Sequence, residues 1–208
     1  MKKIILNIGR QLGSGGRSIA AILAAHYGIT AYDRKLIEIA AQESGLCKEV
    51  FENADEKKSY GFFHSIFSNR SAANAFGSNE SYLSNDALFK VQSDIIRDLA
   101  ERESCIFIGR CADYILRNNH HCINIFFTAN LQDRIARIAS EKNITAEQAT
   151  ELIEKTDRRR AAYYNYYSGK TWGAAESYDL CINTSHLGHE VTAQMLIEYI
   201  DKRVKSEK

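Results

Sequence analysis

The sequence predicts an α/β fold: a parallel five-stranded sheet with helices on both faces. Three observations carry this. Short apolar runs alternate with longer stretches of helical periodicity, as βαβ units do. Several of those runs are almost continuously apolar, as strands buried on both faces are. The first run leads into a glycine-rich turn that opens a helix.

The strands read as Ile4–Ile8, Thr30–Tyr32, Cys105–Ile108, Cys122–Phe127 and Leu180–Ile182. After the first, Ile19, Ile22, Leu23 and Tyr27 form one helix face. Leu88, Val91, Ile95 and Leu99 form another over Ser84–Arg102, and Leu131, Ile135 and Ile138 a third. Thr145 and Gln148 make a capping box ahead of Ala149, Leu152 and Ile153. Val191, Met195, Ile197 and Ile200 belong to a closing helix, and Lys202–Lys208 reads as a solvated tail. Residues 54–83 break the rhythm and read as a partly mobile excursion from the sheet. Within it, Phe62, Phe63, Ile66 and Phe67 form a short apolar face, a packing surface for a lobe or an oligomer contact.

Composition narrows the function classes. A chain of 208 residues suits one α/β domain or a domain with a small lobe. Its net charge of +1 gives no global field for nucleic acid or membrane. No signal peptide or membrane-spanning stretch is visible, so neither partner is expected. The five cysteines are scattered and lack CxxC pairs, which points to reduced thiols and a cytoplasmic setting. Cys105, Cys122 and Cys181 read as core filler.

The turn Gly9-Arg10-Gln11-Leu12-Gly13-Ser14-Gly15-Gly16-Arg17-Ser18 bares backbone N–H groups at a helix start, where an anion is favoured. Against the phosphate-loop pattern G-x-x-x-x-G-K-[ST], Gly16, Arg17 and Ser18 fill the last places, with Arg for Lys and Gln11 for the first Gly. Against the dinucleotide fingerprint, Gly13, Gly15 and Asp33 fit, while Ser18 stands where the third Gly belongs. A ligand-free glycine turn is the plainest alternative.

Other groups converge on the same sheet edge. Asp33 and Arg34 end the second strand, and Gly109-Arg110 the third, where open parallel sheets form their ligand crevice. Asp113 sits in a first helical turn. Asp157-Arg158-Arg159-Arg160 lies late in the capped helix, ahead of Tyr163-Tyr164-Asn165-Tyr166-Tyr167. Neighbours on a helix are about 100° apart, so the three arginines cannot share a face. At least one is expected to face solvent and at least one is a candidate to face a site; taken alone, the cluster reads as a solvated helix face with i,i+4 partners such as Glu154 for Arg158. A phosphate turn, an Asp, an Arg and a later arginine-bearing segment make the inventory of phosphoryl transfer.

In this order the motifs resemble the cytidylate kinase-like family of P-loop proteins. They are Arg10 to Arg17, Tyr32-Asp33-Arg34, Ile108-Gly109-Arg110-Cys111-Ala112-Asp113, Asp157-Arg158-Arg159 and Tyr178-Asp179-Leu180-Cys181-Ile182-Asn183-Thr184. The resemblance implies a P-loop kinase fold with a monophosphate-binding lobe at about 34–83 and a lid at about 145–172. It implies transfer of the ATP γ-phosphoryl group to CMP or dCMP with Mg²⁺. Gly13, Ser14, Gly15, Gly16, Arg17 and Ser18 would then cradle ATP, with Ser18 on Mg²⁺. Arg17, Asp33, Arg158 and Arg159 would be catalytic. Arg34, Arg110 and Asp113 would hold the acceptor, Arg158, Arg159 and Arg160 would form the lid, and Thr184 and Ser185 would meet the donor base. Cys111 departs from the Asp that cytidylate kinases carry after the Gly-Arg pair. A P-loop module that binds nucleotide without catalysis, as a sensor or partner-binding protein, is the alternative.

Overall fold

The computed structural model describes residues 3–43 and 79–206. Within them, β1 (Ile5–Arg10), β2 (Thr30–Tyr32), β3 (Cys105–Ile108), β4 (Cys122–Thr128) and β5 (Leu180–Asn183) form a sheet in the order β2-β3-β1-β4-β5. Every pairing is parallel. Such neighbours need crossovers, which here are helical. The helices are α1 (Gly16–Tyr27), α2 (Arg34–Glu43), α3 (Asn79–Arg102), the single turn α4 (Ala112–Ile115), α5 (Leu131–Lys142), α6 (Ala146–Ser168) and α7 (Gly188–Ser206).

Two compact units divide the chain: Met1–Arg34 with Leu99–Lys208, and Lys35–Asp98. The first holds the whole sheet. Leu6 and Ile8 pack with Ile19, Leu23, Ile106, Ile125, Phe127, Leu196 and Ile200 in one core, which places α1 and α7 on one face. Ile5, Cys105 and Phe107, at the alternate positions, are fully buried too, so the other face is covered as well. In the second unit, α3 buries the apolar side chains Val91, Ile95 and Ile96 along with Gln92 and Ser93. The apolar set Phe62, Phe63, Ile66 and Phe67, most of the 54–83 excursion and Cys47 lie outside the described residues.

Each expected strand and the capping box are present. Thr145 accepts from the Gln148 N–H at 3.3 Å, and Gln148 accepts from the Thr145 N–H at 3.1 Å. Four details differ. The closing helix continues through Ser206, so Lys202 onward is helical up to that residue. Val191 and Met195 of that helix are exposed, and Thr192, Ala193, Leu196 and Ile200 face the core. Leu131 is exposed because it opens α5 ahead of the packed turn at Ile138. Cys181 is exposed because β5 is an edge strand. No helix among the described residues is long and apolar enough to cross a membrane.

Candidate active site

The turn from Gln11 to Gly16 leaves the centre of the sheet and enters α1. Gly13 and Gly15 are left-handed, at φ +79° and +78°. Neither has room for a side chain: a Cβ would lie 2.9 Å from the Arg134 carbonyl oxygen at Gly13 and 2.0 Å from His189 Nε2 at Gly15. Gly15 caps α1, and no side chain accepts from its first N–H groups. An uncapped helix start leaves those donors for an anion.

Side chains from α5 and α6 hold the outer surface of this turn. Asp157 accepts from the Leu12 N–H at 2.8 Å and pairs with buried Arg134. Arg134 Nε donates to the Leu12 carbonyl at 2.7 Å, Arg137 donates to that of Gly13, and Arg160 donates to that of Arg10 at 2.9 Å. On the inner side, the Thr184 hydroxyl donates to the Ser14 carbonyl at 2.8 Å, and the Ser14 hydroxyl to that of Gln11 at 2.9 Å. The turn's carbonyls are thus occupied, and the N–H groups at the α1 start are left.

A second turn follows β3. Gly109, Arg110 and Cys111 are all left-handed, at φ 78°, 61° and 57°. The two non-glycine residues each cost about 1–2 kcal/mol there. The Arg110 guanidinium lies over the Tyr163 ring, 4.7 Å from its centroid. Burial pushes the Tyr163 phenol up to about 12, and the charges of Arg110 and Arg34 oppose that rise. Between the two turns, Arg17 Nη2 meets Asp33 Oδ2 at 3.2 Å. Arg17 is 76% exposed, so the pair contributes little to stability and can be exchanged for a phosphate. Arg10 and Arg160 point into the same region. Burial lowers their pKa values to about 9 and about 10; Arg110 and Arg17 act on both in the same direction. The site therefore carries clustered positive charge suited to several phosphate oxygens.

The family model of the cytidylate kinase-like family matches residues 5–186, a span that includes both turns. The chain belongs to the cytidylate kinase-like family. A cytidylate kinase of Methanopyrus kandleri is 24% identical over 205 residues, covering 98% of this chain and 96% of that one. One of Thermococcus kodakarensis is 24% identical over 194 residues, covering 89% and 81%. Among solved structures, an uncharacterized protein of Eubacterium ventriosum aligns with a TM-score of 0.73 at 27% identity, over 96% and 99% of the two chains. A shikimate kinase of Bacteroides thetaiotaomicron aligns with a TM-score of 0.53 at 11% identity, over 95% and 98%, which shows the fold alone. The fold is that of P-loop kinases, and the family match supports a kinase-like, nucleotide-binding phosphotransferase.

Within this family member, the structure brings together Gly13, Gly15, Gly16, Arg17, Ser18, Asp33, Arg110 and Arg160 around the strand ends. Five expected side chains lie differently. Arg158 and Arg159 are exposed, with Arg158 3.9 Å from Glu154, while Arg160 alone of the three turns inward. Thr184 is fully buried and supports the Ser14 carbonyl, so its side chain offers no face to a base. The Ser185 hydroxyl accepts from the Asn130 N–H at 2.8 Å and ties the β5 exit to α5. Asp113 accepts from the Tyr164 hydroxyl at 2.6 Å; burial holds its carboxyl above the usual carboxylate range, with that bond opposing.

Sequence reasoning missed Arg134, Arg137, His189 and the inward role of Asp157. A signal for Arg134 was present: it lies four residues before Ile138 and shares its apolar face, where an exposed arginine is out of place.

Proposed function

We propose that this protein is a nucleoside monophosphate kinase that moves the γ-phosphoryl group of ATP to CMP or dCMP. The observation that carries the reading is the meeting of an uncapped α1 start with Arg17, Asp33 and Arg110 at one edge of the sheet. The first turn suits the donor, since its glycines let backbone N–H groups approach phosphate oxygens. Arg17 would leave Asp33 for the β/γ-phosphates, taking the place that Lys has in the usual pattern. Arg110 and Arg34 would hold the acceptor phosphate. The cluster's positive charge would offset the negative charge of the transferring group, and positioning would do the rest.

The residues present fit a nucleotide with Mg²⁺. Ser18 is exposed on the first turn of α1, where its hydroxyl would reach a metal held mainly by phosphates. Mg²⁺ supplies neutralisation of phosphate charge when bound. Among the described residues no group of three or more His, Cys, Asp or Glu gathers to hold an ion, which accords with a metal that arrives with its nucleotide. Residues at about 34–83 would bind the monophosphate, and residues 145–172 would close over the donor.

The test is ADP release from MgATP in the presence of CMP, dCMP, UMP, AMP or GMP. Release that requires CMP or dCMP supports the reading. Stabilisation by MgATP with no release under any acceptor would instead support a nucleotide-binding module.

A further inference from the structure

Arg10 is the last residue of β1 and stands between the two turns. Its backbone is fixed. It pairs in register with Phe127 of β4, and its carbonyl accepts from Arg160 at 2.9 Å. Its Cβ rests against Gly16, where an added Cβ would lie 2.9 Å away. Its guanidinium crosses to the other turn: a Cβ on Gly109 would lie 2.2 Å from Arg10 Nη1. One side chain therefore spans from the start of the donor turn to the backbone beside Arg110.

The charge on this side chain is poorly balanced. Arg17 has Asp33 at 3.2 Å, and Arg160 has Asp157 at 3.9 Å, but no ion pair among the described residues includes Arg10. Burial and the charges of Arg160, Arg110 and Arg17 all disfavour its protonated form, with Asp33 opposing them. A half-buried cation among cations is costly without an anion. Gly109 being glycine, and left-handed, is what leaves room for it. A residue needed only for packing would not require the charge.

We propose that Arg10 is a catalytic residue that holds the phosphoryl group in flight, its fork binding two equatorial oxygens between donor and acceptor. The proposal rests on the phosphotransferase reading above. An acceptor phosphate oxygen forms the new bond to the γ-phosphorus. The bond from that phosphorus to the β–γ bridging oxygen breaks, and its electron pair leaves on ADP. Arg10 neither gives nor takes a proton; it offsets charge as the equatorial oxygens pass between the two turns.

The test uses the full-length protein and the variants Arg10→Gln and Arg10→Lys. Three readouts are taken: kcat and KM for acceptor-dependent ADP release, melting temperature without ligand, and stabilisation by MgATP. Arg10→Gln should lower kcat about 100-fold, as loss of a transition-state donor does, with KM for both substrates little changed. Its ligand-free melting temperature should rise, because the repulsion is gone. Arg10→Lys keeps the charge and loses the fork, so it should melt like wild type and still lose turnover. Undiminished kcat in Arg10→Lys, or in a folded Arg10→Gln, overturns the role of Arg10 alone. A ligand-free melting temperature that falls in both variants in step with turnover would make Arg10 a packing residue. Wild-type protein that releases no ADP with any acceptor overturns the phosphotransferase reading, and this role with it.

Discussion

The turn after β1 and the turn after β3 sit side by side and are built on opposite terms. The first puts glycine at its left-handed positions, Gly13 and Gly15, and is gripped from outside by Asp157, Arg134, Arg137 and Arg160. The second puts Arg110 and Cys111 in the left-handed region after a single glycine. It is held by backbone bonds, with Gly109 N–H donating to the Ile8 carbonyl of β1 at 3.0 Å and Ile115 N–H to that of Cys111 at 2.9 Å. In the first, side chains hold the backbone so that backbone can bind. In the second, backbone strain aims a side chain, that of Arg110, at the site.

Breaking the grip on the first turn should have the largest effect. Asp157→Ala leaves Arg134 buried without its carboxylate and frees the Leu12 N–H, and should cost about 3–5 kcal/mol, read as a lower denaturation midpoint. Next comes the glycine itself. Gly15→Ala forces a side chain into the left-handed region and against His189, costing about 1–2 kcal/mol in strain, and should abolish stabilisation by MgATP.

The second turn should respond differently. Arg110→Gly relieves strain and loses the Tyr163 stack, two effects of about 1 kcal/mol that oppose each other. Stability should therefore stay near wild type while KM for the acceptor rises. A large fall in melting temperature would show that Arg110 serves the fold.

The smallest effect concerns Asp113 beyond that turn. Its carboxyl is held above the ordinary value of 3.8, so the charged form costs the folded state free energy at neutral pH. That cost vanishes as pH falls below 3.8. Asp113→Asn keeps an acceptor for Tyr164 and should melt slightly higher at pH 7, with the gain gone at low pH. A gain independent of pH would contradict the assignment.

The same contrast separates what was legible in the sequence from what was not. The strands were legible because both sheet faces are buried, so Cys105–Ile108 and its neighbours read as apolar runs. The first turn was legible because left-handed backbone selects glycine. The place of the second, Gly109-Arg110 at the end of β3, was legible too, but its left-handed backbone was not, since Arg110 and Cys111 bear no mark of their conformation. The grip of α5 and α6 was hidden for another reason. Asp157 and Arg134 lie 23 residues apart, and a charge looks the same on a solvated face as beneath a loop. Thr184 illustrates the converse: its place after β5 was read correctly, but its hydroxyl turns inward to Ser14.

The most direct test of the division between the turns is calorimetric titration of Gly15→Ala and Arg110→Ala with MgATP and, separately, with CMP. The account predicts a crossed result: Gly15→Ala loses MgATP and keeps CMP, while Arg110→Ala keeps MgATP and loses CMP. Both ligands weakening together in each variant, or neither weakening, would contradict it.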